Sequence, residues 1–132
     1  MLQLPLFVFG TLRRGECNHA YLAGAYDRVL PARLPGFSRV APLMIAREAN
    51  SVVDGELYFL SPATYENTLS GCDGLEELPT DGLIGHEYRR FAVRVQTDSG
   101  EVIAWAYARP DTEGDTDLQP LIVAELQRIK NS

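Results

Sequence analysis

YRRFAVRVQT-DSG-EVIAWAYAR, residues 88–109, decides the architecture. From Tyr88 to Thr97, Phe91, Val93 and Val95 fall on one face and Arg90, Ala92 and Arg94 on the other, the period of a β-strand. Arg89, Arg90 and Arg94 read as that strand's polar face, paired with carboxylates. Asp98-Ser99-Gly100 is a turn, so the two halves form a hairpin. The second strand, Glu101 to Arg109, is apolar on both faces, with Ile103, Trp105 and Tyr107 set against Val102, Ala104 and Ala106. A strand with no polar face belongs at the centre of a sheet or inside a barrel.

Working outward, Leu4 to Phe9 is a short, aromatic-rich apolar run ending at Gly10, a buried strand that enters a glycine turn. A polar loop, Gly10 to Gly15, follows, then a short helix from Asn18 to Ala23 with Asn18 as its cap. Pro31, Pro35 and Pro42 exclude a long helix over residues 28–47, leaving short strands or edge segments at Arg28 to Leu34 and Phe37 to Ile45. Val52 to Leu60 alternates as a strand. Ser61-Pro62 opens a helix, with serine as the cap and proline in the first turn. Pro79 to Gly85 is a loop. Leu118 to Ile129 is an amphipathic helix with Leu118, Leu121, Ile122, Leu126 and Ile129 inward. These elements describe one α+β domain over residues 1–132, rich in antiparallel strands and partly closed.

The composition narrows the function. Apolar residues are 45% and charged residues 23% of the 132, an ordinary globular balance that argues against disorder. Twelve Lys and Arg against 18 Asp and Glu give a net charge of −6, a poor match to a phosphate backbone or an anionic membrane. No stretch approaches the about 20 apolar residues of a membrane helix. The apolar N-terminus lacks a basic leader and reads as a strand. Two cysteines, Cys17 and Cys72, make no disulfide framework and match no zinc spacing, so a cytoplasmic, reducing compartment is expected.

One carboxylate stands out. Tyr65, Leu69, Cys72 and Glu76 recur at spacings of four, three and four along the helix that opens at Pro62. If the helix persists that far, Glu76 points to the apolar side. Desolvation then raises its pKa and equips it as a general acid or base near neutral pH. If Gly74 ends the helix, Glu76 is a solvated terminal residue. The Phe9-Gly10-Thr11-Leu12 junction has two readings as well: an ordinary turn, or a glycine turn whose backbone N–H groups bind an anion. Tyr107 is a core tyrosine or presents its hydroxyl to a ligand. Cys17 with His19 has the composition of a nucleophile pair, but a buried cysteine is ordinarily inert. Two histidines are too few for a metal centre. The acidic run Asp111, Glu113, Asp115, Asp117 lacks the glycine and glutamate of a calcium loop and reads as a solvated loop with helix-capping acids.

Phe7-Val8-Phe9-Gly10-Thr11-Leu12-Arg13-Arg14-Gly15-Glu16-Cys17-Asn18 closely resembles the opening motif of γ-glutamylcyclotransferase-like proteins, and its threonine resembles the γ-glutamylamine cyclotransferase branch. Gly55-Glu56-Leu57-Tyr58 resembles that family's Gly-x-Leu-Tyr strand, Asp73-Gly74-Leu75-Glu76 its Asp-x-x-Glu segment, Tyr88-Arg89-Arg90 its Tyr-x-Arg strand start, and Ala106-Tyr107 the Ala-Tyr of its last core strand. The matches run in order from residue 7 to 107.

The resemblance implies a small mixed, mostly antiparallel β-barrel with peripheral helices. It places the catalytic glutamate on Glu76 and the substrate loop on Phe9, Gly10, Thr11 and Leu12. The implied enzyme is an amide-cleaving cyclotransferase of the lyase class. It acts on a small-molecule γ-glutamyl substrate without a cofactor and releases 5-oxoproline and a free amine. Two alternatives remain: a non-catalytic binding or regulatory domain on the same fold, and another amide lyase or hydrolase using the same glutamate. Phe9 stands where the family usually has tyrosine, and Glu77 where glycine usually follows the catalytic residue.

Overall fold

The computed structural model describes residues 3–10 and 19–131. Five strands close into a barrel in the order β1-β3-β2-β4-β5, where β1 is Leu6–Val8, β2 Tyr26–Ala41, β3 Met44–Leu60, β4 Arg89–Thr97 and β5 Gly100–Ala108. Neighbours are antiparallel except β1 and β5, which meet in parallel at Leu6 and Trp105 and close the barrel. This is the expected mixed, mostly antiparallel barrel. The helices α1 (Tyr65–Leu75) and α2 (Gln119–Lys130) complete it.

The 88–109 stretch forms the expected hairpin. β4 and β5 pair from Arg89↔Ala108 to Thr97↔Gly100, and Gly100 takes a φ of 117° at the turn, a conformation open to glycine. Ala104 to Ala108 are all buried, and Trp105 is fully enclosed. Its indole N–H donates to the Tyr65 hydroxyl at 3.1 Å, which donates to the Leu4 carbonyl at 2.7 Å, so neither aromatic buries an unmet polar group.

The region of three prolines departs from expectation. In place of short segments, β2 runs unbroken through Pro31 and Pro35 and pairs with β3, whose start at Met44 lies eight residues before Val52. Register shifts between Tyr26 and Arg28, Pro35 and Phe37, and Arg39 and Ala41 absorb the irregularities. β2 meets β4 at a single pair, Arg33↔Gln96, so a missing proline N–H disrupts little of that side. Gly55 lets β1 lie close: a Cβ there would sit 2.4 Å from the Val8 carbonyl oxygen and 2.7 Å from the Phe7 ring.

Two helix starts also differ. The helix expected at 18–23 is a 3₁₀ turn, His19–Tyr21; Asn18 lies outside the described residues. Ser61 makes no side-chain cap and instead donates to Asp27 at 2.7 Å. Pro62–Thr64 form a 3₁₀ turn before α1 begins. On α1, Tyr65, Thr68, Leu69 and Cys72 are buried, as the apolar stripe requires.

Candidate active site

α1 ends beside the barrel, and its end is what presents Glu76. Glu76 caps the helix, with its N–H donating to the Cys72 carbonyl at 3.1 Å. The Glu77 N–H then reaches the Gly74 carbonyl at 3.1 Å, and the Leu78 N–H reaches Asp73 at 3.0 Å. This pair of bonds is the Schellman pattern, which normally puts glycine at the left-handed position. Glu77 fills it at a φ of 58°, a conformation glycine adopts without strain. The position therefore has a backbone reason to favour glycine, and Glu77 keeps the turn at some cost. Its side chain is exposed yet borders the site.

Glu76 is half-buried, so the solvated reading fails although the helix stops one residue short of it. It lines a pocket of about 230 Å³ together with Phe7, Phe9, Gly10, Leu43 and Tyr107. Glu77, Glu87 and Tyr88 border the same space. Burial pushes the Glu76 carboxyl up to about 7, and the negative charges of Asp73 and Glu87 add to the effect. The negative end of α1 acts in the same direction. A group poised there exists in both protonation states near neutral pH.

The pocket thus gathers four of the six residues expected at the site: Glu76, Phe9, Gly10 and Tyr107. Thr11 and Leu12, like Cys17, lie outside the described residues. Leu43 reaches the pocket from the β2–β3 turn, and its carbonyl accepts from the Tyr88 hydroxyl at 2.5 Å. Leu43, Glu87 and Tyr88 were not among the expected site residues, and no periodicity marks them.

Behind the pocket lies a buried ionic chain. Arg90 is not on a polar face: its side chain is fully buried between β4 and the two helices. Its Nε and Nη2 donate to the two Asp73 carboxylate oxygens at 2.8 and 2.9 Å, and its Nη1 donates to Glu125 at 2.8 Å. The guanidinium lies 4.8 Å from the Trp105 ring centroid. Arg128 holds Glu125 from the other side through two bonds of 2.6 and 3.0 Å. Burial opposes the charge on Arg90, but Asp73 and Glu125 outweigh it and hold the guanidinium protonated. The Tyr107 hydroxyl donates to Asp73 at 2.6 Å, which ties this chain to the pocket.

The acidic loop is not simply solvated. Asp115 makes no cap bond; it pairs with Arg47 at 3.1 Å and Arg94 at 3.0 Å, and Arg94 also holds Asp117. These acids staple the loop to β3 and β4.

The sequence pattern of the family described as "Gamma-glutamyl cyclotransferase, AIG2-like" matches residues 6–125. The chain belongs to this family. A relative from Vibrio cholerae serotype O1 with the provisional name gamma-glutamylcyclotransferase is 33% identical over 116 residues, 84% of this chain and 86% of its own. The gamma-L-glutamyl-butirosin B gamma-glutamyl cyclotransferase of Niallia circulans is 33% identical over 106 residues, 77% of this chain and 64% of its own. Among solved structures, YkqA of Bacillus subtilis superposes with a TM-score of 0.63 at 27% identity, over 84% of this chain and 37% of that one. A protein titled gamma-glutamyl cyclotransferase shares the fold, with a TM-score of 0.58 at 17% identity over 96% of this chain and 86% of that one. Membership of the gamma-glutamyl cyclotransferase family supports cyclotransferase activity in general. Among the described residues no helix is long and apolar enough to cross a membrane.

Proposed function

We propose that the protein cyclises a small γ-glutamyl amide, releasing 5-oxoproline and a free amine, with Glu76 as the general acid and base. What carries the reading is that Glu76, its carboxyl pushed up to about 7, shares one pocket with Phe9, Gly10 and Tyr107. The pocket's roughly 230 Å³ is below the ~300–1,000 Å³ of sites for drug-sized ligands. That volume suits a γ-glutamyl group whose amine half projects outward.

In this reaction the substrate supplies its own nucleophile. The α-ammonium gives a proton to the Glu76 carboxylate, and the freed amine attacks the γ-carbonyl carbon to close a five-membered ring. Ring closure is intramolecular, so proximity is built into the substrate and no cofactor is required. Negative charge develops on the carbonyl oxygen, which backbone N–H donors at the Gly10 wall of the pocket would meet in this reading, or they would meet the substrate α-carboxylate. The carbon–nitrogen bond of the amide then breaks. The proton held by Glu76 passes to the leaving nitrogen, and the second proton lost from the ring nitrogen follows it. Glu76 returns to its starting state.

The test is 5-oxoproline release from a panel of γ-glutamyl amides. Wild-type protein is expected to turn over at least one. Glu76→Gln should lower its kcat by ~10²-fold or more, the lower range for a general acid–base group. Glu77→Gln, whose side chain is exposed, should change turnover little. Binding without 5-oxoproline release would favour a non-catalytic binding domain. An active Glu76→Gln beside an inactive Glu77→Gln would move the base to Glu77.

A further inference from the structure

Tyr107 is buried in the wall of the pocket, and its hydroxyl has one proton to give. That proton goes to Asp73 Oδ1 at 2.6 Å. Asp73 is fixed as the acceptor because both of its oxygens already accept from Arg90, at 2.8 and 2.9 Å. Arg90 carries no acceptor and is itself locked, with its third arm on Glu125 and its face on Trp105. Reversing the bond would need a proton on Asp73 and would cost the buried Arg90 guanidinium its bidentate carboxylate partner. Burial and the adjacent Asp73 carboxylate raise the Tyr107 pKa well above its ordinary value, so the phenol keeps its proton.

A hydroxyl whose proton is committed in this way offers only lone pairs to whatever else it meets. It can accept from a substrate N–H and cannot donate to a carboxylate or an oxyanion. We propose that Tyr107 reads the α-ammonium of the substrate as a hydrogen-bond acceptor, and that Asp73 and Arg90 are the positioning residues that fix its hydroxyl in that sense. The inference rests on the cyclotransferase reading and adds a direction to it: the ammonium lies at the Tyr107 and Glu76 wall, leaving the Phe9 and Gly10 wall to the carboxylate. It also explains why a charged pair is buried behind an apolar wall. An apolar replacement for Asp73 would free the tyrosine proton to turn into the pocket.

The experiment compares two ligands on the full chain. One is γ-glutamyl methylamide, assayed by 5-oxoproline release. The other is glutaric acid mono-methylamide, the same molecule without the amine, assayed as a competitive inhibitor. Tyr107→Phe should raise KM for the first by ~10-fold, the effect of losing a hydrogen bond to a charged group. It should leave Ki for the second within twofold. Equal losses for both ligands would make Tyr107 a packing residue and overturn the proposal, as would no loss for either.

Asp73→Asn should reproduce the selective loss. With its NH₂ at the Oδ1 position it faces the Tyr107 hydroxyl, which must then donate into the pocket, at the cost of opposing the Arg90 Nε donor that shares that position. If that variant does not fold, the wild-type protein decides the point by proton NMR. The downfield hydroxyl signal of the Tyr107–Asp73 bond, assigned by its absence in Tyr107→Phe, should persist when glutaric acid mono-methylamide saturates the site. Its loss on binding would show the hydroxyl turning to the ligand and overturn the proposal. Failure of the wild type to release 5-oxoproline from any γ-glutamyl amide would instead remove the cyclotransferase reading itself.

Discussion

Replacing Glu76 by glutamine should stabilise the protein, and only above the acid range. In the folded chain the Glu76 carboxyl is pushed from 4.5 up to about 7, by burial first and by Asp73 and Glu87 second. In the unfolded chain it returns to its ordinary value. Below about pH 4 both states hold the proton, so wild type and variant should be equally stable. Between 4.5 and 7 the unfolded chain ionises first, the folded state binds more protons, and stability falls as pH rises. Above 7 both states are ionised and the loss is complete. At 1.36 kcal/mol per pKa unit the loss comes to about 3 kcal/mol, and partial solvation of a half-buried group reduces it to roughly 2. Glutamine keeps the shape and carries no charge, so Glu76→Gln should be more stable by roughly 2 kcal/mol at pH 8 and unchanged at pH 4. Urea unfolding of both proteins at several pH values measures this, and ionisations common to both cancel in the difference. A stability difference independent of pH would refute the reasoning, because the carboxyl would then titrate alike in both states.

Two further substitutions test the frame around the site. Glu77→Gly should raise stability by about 0.5–1 kcal/mol, because left-handed backbone costs an L-residue about 1–2 kcal/mol and glycine gives part of that gain back as unfolded-state entropy; thermal unfolding would show it, and a destabilised variant would contradict the helix-end geometry. Gly55→Ala should lose about 2 kcal/mol or more, since its Cβ would lie 2.4 Å from the Val8 carbonyl oxygen and push β1 away from β3. Its denaturation midpoint should drop clearly, and an unchanged midpoint would mean that β1 does not pack as described.

What was legible in the sequence follows from which residues obey simple periodicity. The doubly apolar strand at 101–109 signals enclosure by itself, and Trp105 sits where that signal puts it. The stripe at 65, 69 and 72 extends to Glu76, which brings a carboxylate toward the pocket even though the helix proper ends at Leu75. The long β2–β3 hairpin is hidden because prolines and register shifts break its alternation. Arg90 is hidden for a different reason. A charged residue on an alternating strand reads as solvent-facing, and its partners Asp73 and Glu125 lie 17 and 35 positions away. A faint signal did exist for one of them: Glu125 falls three residues after Ile122 and four before Ile129, on the inward face of α2. A carboxylate on an apolar face needs either a cation partner, as Glu125 has, or a raised pKa, as Glu76 has, and the sequence pattern does not say which.

These two inward carboxylates divide the work by environment. Glu125 meets two guanidiniums, whose bonds and charge outweigh its burial and hold its carboxyl below the ordinary range. It is a permanent anion and serves to fix α2 and Arg90 to the barrel. Glu76 is raised instead by burial, Asp73 and Glu87, so its proton is exchangeable. The same Arg90 draws the line between them. It satisfies Asp73 and Glu125 with all three of its nitrogens, and the Asp73 charge still raises the Glu76 carboxyl. A second arginine reaching Glu76 would strengthen the helix end and lower the carboxyl out of the neutral range that the proposed acid–base role needs. The fold therefore anchors α1 one turn before Glu76, through Asp73 and the backbone bonds of the helix end, while Glu76, the carboxylate proposed as the acid–base group, is left to burial and its acidic neighbours.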